Sequence, residues 1–427
     1  MKMAVFHNRS KIAEGVYLTQ ICDPKYKTNV VRVRFIVPID ADKLGVNALL
    51  TSLLVTSNAK VPSRSELSKR FLGLYGTSVG AVWGNVTDYQ SLGLTISVIM
   101  DKYTIGGETI SAEAVQMLLD CIFSPDIKDG KFNEKYFRLR KQELLDNIDA
   151  AINDKRSYGF MKAKEVIFEG ESSALSELGS RERAEKITQE EVLSRYKYLM
   201  EEAFIDITIC GGGEADEAVK LLKEAFGKVP RNTDRVEYIK HSPVKAQVRE
   251  CEEPMDIQQS KMYMAYKTAC RDIYTCKVFT TLLGGSAFSK LFTNVREKLS
   301  VCYYCDSFYM DLKGTMMIES GLDNANIEKA KAAIKDQIEA VKNGDFTDEE
   351  LENTKLYICG NFKSNYDSEW DIASWYRVQE TRGTAYSPEE VADMINSVTR
   401  EQVIECAKSF VPDSVFILKA EEGSADE

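Results

Sequence analysis

The chain repeats itself, and that limits what it can fold into more than any other feature. Ile187-Thr-Gln-Glu-Glu-Val-Leu193 returns as Val398-Thr-Arg-Glu-Gln-Val-Ile404, 211 residues on when counted between Thr188 and Thr399. Each threonine suits a helix N-cap, and the acidic residues after it suit the first turn, where the helix dipole favours negative charge. Each helix then runs into a short apolar strand, Asp206–Cys210 in one copy and Ser414–Leu418 in the other. Upstream, Phe132-Asn-Glu-Lys and Phe346-Thr-Asp-Glu-Glu each open a long helix, 214 residues apart. A further helix follows in both copies, Ser157–Phe168 and Trp370–Arg382.

Two near-equal offsets imply a duplicated unit. Alternating runs such as Val30–Val37, Ser91–Met100, Gln259–Tyr266 and Met316–Ser320 read as strands. The expected fold is therefore α+β: two homologous domains, each a mostly antiparallel sheet with helices packed on one face. Turn residues near Gly227–Val244 mark the seam. This gives an N-terminal domain 1–228, a linker 229–243, a C-terminal domain 244–420 and a disordered acidic tail 421–427.

Composition removes several classes of function. The net charge of −11 argues against nucleic acid, whose phosphates call for a basic face. No apolar run approaches a membrane span, and no signal-peptide pattern opens the chain, which makes the cytoplasm the expected location. The ten cysteines are scattered through a long chain and read as reduced thiols. Cys302 and Cys305 form a lone C-x-x-C on a predicted strand, where positions three apart face opposite sides. Cys270 and Cys276 match no common zinc spacing. Gly211-Gly-Gly213 lacks the Lys-Ser/Thr of a phosphate loop and reads as a strand-to-helix turn. The two histidines, His7 and His241, are too isolated to build a local zinc site and read as surface residues.

One stretch is specific. Leu283-Gly-Gly-Ser-Ala-Phe-Ser-Lys-Leu-Phe-Thr-Asn-Val-Arg-Glu-Lys-Leu-Ser-Val-Cys-Tyr-Tyr304 resembles the second-domain motif of the pitrilysin/insulinase metallopeptidase family: a Gly-rich turn, a Ser-Lys-Leu-Phe helix, Arg-Glu-Lys and an aromatic residue entering a strand. The resemblance implies the family's duplicated α/β roll over essentially the whole chain. It also maps the family's Arg/Tyr pair onto Arg296 and Tyr303. A forked guanidinium and a phenolic O–H together suit a peptide carbonyl and the oxyanion formed from it. The plain structural alternative is a salt bridge at Arg296 and core packing at Tyr303.

The same resemblance exposes a loss. The family's inverted zinc motif, H-x-x-E-H, falls on Gly45–Leu54, with Ala48 and Ser52 in place of the histidines and Thr51 in place of the general base. The third ligand falls on Asn147, or on Glu143 after a one-turn slip. No metal and no cofactor are expected in this chain. In the substrate-binding edge strand, Gly80 and Ala81 stand where the family carries Asn-Ala.

A chain that keeps the Arg/Tyr pair and loses the zinc motif resembles the zinc-less subunit of the family's two-subunit peptidases. Zinc would then sit only in a zinc-motif paralogue acting as partner, and the substrate would be a peptide or unfolded polypeptide. The branch it looks most like is the one associated with aminopentanol modification of elongation factor P. The alternative is a catalytically inactive scaffold or peptide-binding protein of the same fold, and a homodimer is a further possible assembly.

Overall fold

The structure is a computed structural model that describes residues 6–213, 215–228, 231 and 236–421. Much of the expected linker and nearly all of the acidic tail therefore lie outside the described residues. The chain divides into two compact units. One contains the described residues up to Ala150, Leu175–Glu237 and Tyr366–Arg377; the other contains Ala151–Ala174, Tyr238–Asn365 and the described residues from Val378 onward. The expected division at 228 and 244 differs from this in one respect: each repeat gives one segment to the other unit.

The first unit holds strands β1 (Phe6–Ala13), β2 (Val16–Cys22), β3 (Thr28–Pro38), β4 (Ser78–Val86) and β5 (Tyr89–Ile99), a short hairpin of β6 (Ile127–Lys128) and β7 (Lys131–Phe132), and β8 (Phe204–Gly211). Its helices are α1 (Leu44–Leu54), α2 (Arg64–Gly73), α3 (Ile110–Phe123), α4 (Glu134–Ala150), α6 (Arg181–Glu185), α7 (Gln189–Glu202) and α8 (Asp216–Phe226). The main sheet runs β1-β2-β8-β3-β5-β4, so the last strand enters between two early ones. β8 is parallel to β2 and antiparallel to β3.

The second unit repeats this wiring. β9 (Arg249–Met255), β10 (Ser260–Lys267), β11 (Tyr304–Met310), β12 (Thr315–Leu322) and β13 (Val411–Ala420) run in the order β11-β12-β10-β13-β9. Here too the last strand enters between two early ones, parallel to β9 and antiparallel to β10. Its helices are α5 (Lys155–Ile167), α9 (Ile273–Gly284), α10 (Ile327–Lys342), α11 (Asp348–Ser364), α13 (Pro388–Asn396) and α14 (Arg400–Ser409). The repeated helix starts are true caps. Thr188, Thr347 and Thr399 each accept from the N3 backbone N–H, while the N3 side chain returns the bond as a capping box.

Alternation along the strands sorts the faces. In β3, Val31, Val33, Phe35 and Val37 meet the helical layer, as do Leu92, Leu94, Ile96 and Val98 of β5. The opposite face is covered by the segment supplied from the other repeat. α12 (Glu369–Thr381) places Ile372, Ala373 and Tyr376 on Ile21, Tyr26 and Cys210. The Arg32 guanidinium lies 4.3 Å over the Trp370 ring, and His7 stacks on Tyr376 at 4.0 Å. His7 is thus half-buried rather than a free surface residue. His241 is half-buried as well, pressed against Gly314, which has no Cβ to collide with the ring.

In the second unit the equivalent cover is α5, whose Ala163 and Ile167, with Phe168, pack on Tyr263, Ala265, Phe416 and Leu418. Gly159 makes the approach possible. A Cβ there would stand 2.8 Å from the Tyr263 hydroxyl, and that ring is fully buried and bonded through its O–H to the Arg156 carbonyl at 2.7 Å. At the far end of α5, Lys245 and Lys267 both donate to the Ile167 carbonyl, at 2.8 and 3.1 Å. Asp413, fully buried on β13, pairs with the same two ammonium groups at 3.1 and 3.2 Å.

Two substitutions test this arrangement by urea denaturation. Gly159→Ala gains about 1 kcal/mol of helix propensity but loses roughly 1–3 kcal/mol to overpacking against a ring that cannot move, so a net loss is expected. Asp413→Ala leaves the buried Lys267 and the half-buried Lys245 without their counter-ion and should cost about 3–5 kcal/mol.

Candidate functional site

α1 is built for burial. Ten of its eleven residues are buried, and its only half-exposed side chain is Ser52. Ala48 is 2 % exposed and offers no donor atom. The Thr51 hydroxyl is also sealed and donates to the Asn47 carbonyl at 2.6 Å. Asn47 is itself fully engaged: its amide donates to Gln90 Oε1 at 2.6 Å, and its Oδ1 accepts from Arg195 Nε at 2.6 Å. Asn147 lies exposed on α4, and Glu143 one turn earlier is paired with Arg140 at 2.6 Å. Arg140 in turn reaches Thr56 at 2.7 Å. Hydroxyl and amide oxygens are poor zinc donors, and a methyl group is none. The residues present do not fit a catalytic zinc ion.

Gly80 and Ala81 lie on β4, the terminal strand of the first sheet, where they pair with Thr95 and Leu94 of β5. β11 holds the equivalent terminal place in the second sheet. A terminal strand has one unpaired side.

Arg296 and Tyr303 occupy the entry to β11. The segment Leu291–Lys298 is a π-helix, in which the wider turn re-aims side chains relative to an α-helix. The Arg296 guanidinium lies 4.5 Å over the Phe292 ring and makes a loose 3.7 Å ion pair with its neighbour Glu297. Its field also reaches Cys302 and Asp306, on either side of Tyr303. Ser300, at φ 51°, makes the left-handed turn between helix and strand, and the Tyr303 N–H anchors the turn by donating to the Gly321 carbonyl at 2.8 Å.

The phenol then points outward. Tyr303 is 50 % exposed, which rules out the core-packing alternative. Its O–H donates to the Asp323 carboxylate at 3.1 and 3.3 Å. That bond and the acid's charge raise the Tyr303 pKa and keep it a proton donor. Asp323 gave no signal in the sequence, because it lies twenty residues away and is brought near only by the β11–β12 register.

The C-x-x-C pair differs from expectation. Cys302 precedes β11, so strand alternation does not apply to it, and the two thiols meet. Cys305 donates to Cys302 and lowers its pKa, while the buried Cys305 thiol is raised by the same bond and by burial. All ten cysteines are free thiols.

Asp323→Asn should bring the Tyr303 pKa down toward the ordinary phenol value, because a neutral amide no longer repels the phenolate. A pH titration of the Tyr303 ring carbon by NMR would read this out. An unchanged titration would mean that the hydrogen bond does not form in solution.

Comparison with known proteins accords with this geometry. A family model described as "Peptidase M16 inactive domain" matches residues 186–357. The chain is 26% identical over 405 residues to a "Probable inactive metalloprotease YmfF" of Bacillus subtilis, covering 94% of this chain and 95% of the other. A conserved protein from Enterococcus faecalis superposes with a TM-score of 0.90 at 26% identity, over 99% of this chain and 100% of that one. A protease from Helicobacter pylori shares the fold at a TM-score of 0.80 and 14% identity, over 97% and 100%. Among the described residues no helix is long and apolar enough to cross a membrane.

Proposed function

Given that the chain belongs to the insulinase-like M16 peptidase family as an inactive member, we propose that it is the zinc-less subunit of a two-subunit peptidase. In this reading a paralogue with an intact zinc motif supplies the metal and the general base. Arg296 and Tyr303 of this chain supply donors to the peptide carbonyl and to the oxyanion that forms from it. The substrate is a peptide or an unfolded segment, the chemistry takes place in the cytoplasm, and neither nucleic acid nor a membrane is involved.

The observation that carries the proposal is a contrast in exposure. The zinc-motif positions Ala48 and Thr51 are sealed at 2 % exposure, whereas the Arg296 side chain is 40 % exposed and Tyr303 is 50 % exposed. Both therefore lie where another molecule can reach them, Tyr303 with its O–H held by Asp323. Passing the Tyr303 hydrogen bond from the Asp323 carboxylate to the oxyanion exchanges one charge-assisted bond for another. Loss of a ligand set by drift would not by itself keep an exposed Arg/Tyr pair at a tight turn.

The test mixes the purified chain with a zinc-motif homologue from the same source and measures cleavage of a peptide library. Activity should appear only in the mixture. Arg296→Ala or Tyr303→Phe should lower kcat by roughly 10²–10³, the usual cost of removing one oxyanion donor. Cleavage that is indifferent to both substitutions would support the alternative, a scaffold or peptide-binding protein of the same fold, and a self-associating chain with no activity in the mixture would do the same.

A further inference from the structure

The thiols of Cys270, Cys276 and Cys406 converge, their sulfur atoms all lying within 4.8 Å of one another. Among the described residues no other group of three metal-ligating side chains comes together in this way. Each sulfur arrives from a different piece of the second unit. Cys270 is in the loop after β10, Cys276 is in the first turn of α9, and Cys406 is in the last turns of α14. The Cys276 and Cys406 sulfurs are 3.5 Å apart and both buried, while Cys270 is partly exposed.

The surroundings hold the three pieces firmly. Asp272 caps α9, its carboxylate accepting from the N–H groups of Tyr274 and Thr275. Thr268 and Ser409 join their hydroxyls at 2.7 Å, and Ser409 also bonds the Cys406 carbonyl at 2.6 Å. The cap therefore fixes Cys276, and the hydroxyl pair fixes the loop of Cys270 to the helix end of Cys406. The Tyr309 hydroxyl is buried, lies toward Cys276, and makes no hydrogen bond of ordinary length.

The internal repeat gives an independent view of the same place. Cys276 is the fourth residue of α9 as Asn47 is the fourth of α1, and Cys406 is the seventh of α14 as Arg195 is the seventh of α7. The first repeat closes this helix crossing with a hydrogen bond from Arg195 to Asn47. The second repeat closes it with two thiols and adds a third from a loop. Two buried thiols would satisfy packing alone, but the third, from a partly exposed loop, brings the three sulfurs within 4.8 Å of one another.

We propose that Cys270, Cys276 and Cys406 form a three-thiolate site for a thiophilic d10 cation, with Zn2+ as its probe and a fourth position facing the Tyr309 hydroxyl. With Zn–S bonds of about 2.3 Å, the sulfurs of a tetrahedral site stand about 3.8 Å apart, close to the spacing found. The three donors are all soft, with no histidine or carboxylate among them, which selects against Mg2+ and Ca2+. Binding displaces the thiol protons and forms three metal–sulfur bonds, with no change of oxidation state. The partly exposed Cys270 is the point of entry. The ion would lock α9 to α14 and to the β10 loop, as a structural centre remote in sequence from the Arg296–Tyr303 turn.

The experiment loads the full-length chain, purified without added metal under reducing conditions, with Zn2+ and separately with Co2+. About one ion per chain is expected, with a rise in Tm on Zn2+ and a thiolate-to-cobalt charge-transfer band. Cys270→Ser, which alters a half-exposed loop and should fold, is expected to lose the Tm rise and about a third of the band intensity. Cys276→Ser and Cys406→Ser should lose both, and Cys251→Ser should change neither. The proposal is overturned if no ion binds, if binding survives Cys270→Ser and Cys406→Ser unchanged, or if peptide mapping of unreduced protein finds Cys276 joined to Cys406 as a disulfide. Because none of these readouts involves peptide cleavage, failure here leaves the shared-site peptidase standing, and the converse also holds.

Discussion

Asp413 is the charge on which the second sheet depends. It is fully buried, yet it holds Lys245 and Lys267 within 3.2 Å, and both lysines also donate to the last carbonyl of α5. The cluster thus does two jobs. It neutralises ammonium groups that burial alone would not tolerate, and it caps the negative end of a helix dipole. The other end of α5 is held by Arg156, which pairs with Glu319 of β12. Between those ends the helix covers the apolar side chains of β10 and β13 that the main helical layer does not reach. Without α5 that face of the sheet would be open to water.

The first unit solves the same problem with α12 and a different set of forces. There the anchor is aromatic and cationic, with Arg32 over Trp370 and Tyr376 beneath His7. Each repeat therefore supplies a helix that covers the sheet built by the other repeat. The two sheets share a strand order in which the last strand lies between two early ones, parallel to one and antiparallel to the other, and this accords with a duplicated unit beneath the exchange.

The packing of α1 does not depend on a metal, since Ala48 joins its leucines in the core and Thr51 is sealed on its own helix. Leu49, Leu50, Leu53 and Leu54 remain in the core, while the polar side is satisfied by the Asn47, Gln90 and Arg195 network. Asn47 thereby has a protein partner on both its amide nitrogen and its amide oxygen. On the second unit, by contrast, the turn into β11, with Ser300 in the left-handed region, leaves a phenol and a guanidinium partly exposed.

Much of this was legible in the sequence. The capping boxes at Thr188, Thr347 and Thr399 are local, since every partner lies within three residues, and so they could be read directly. The alternation of β3 and β5 is likewise a short-range pattern, and the absence of histidine and glutamate at positions 48, 51, 52 and 147 needs only a register to be seen. The tertiary structure alone decided which sheet α5 and α12 would cover, because burial of an apolar face is satisfied by any sheet within reach of the chain. It alone placed Asp323 under Tyr303, through strand register, and Cys305 against Cys302, because Cys302 stops short of the strand. It alone brought Cys406 to Cys276 across 130 residues, since spacing along a chain reports ligand sets only when the ligands share one helix or one turn.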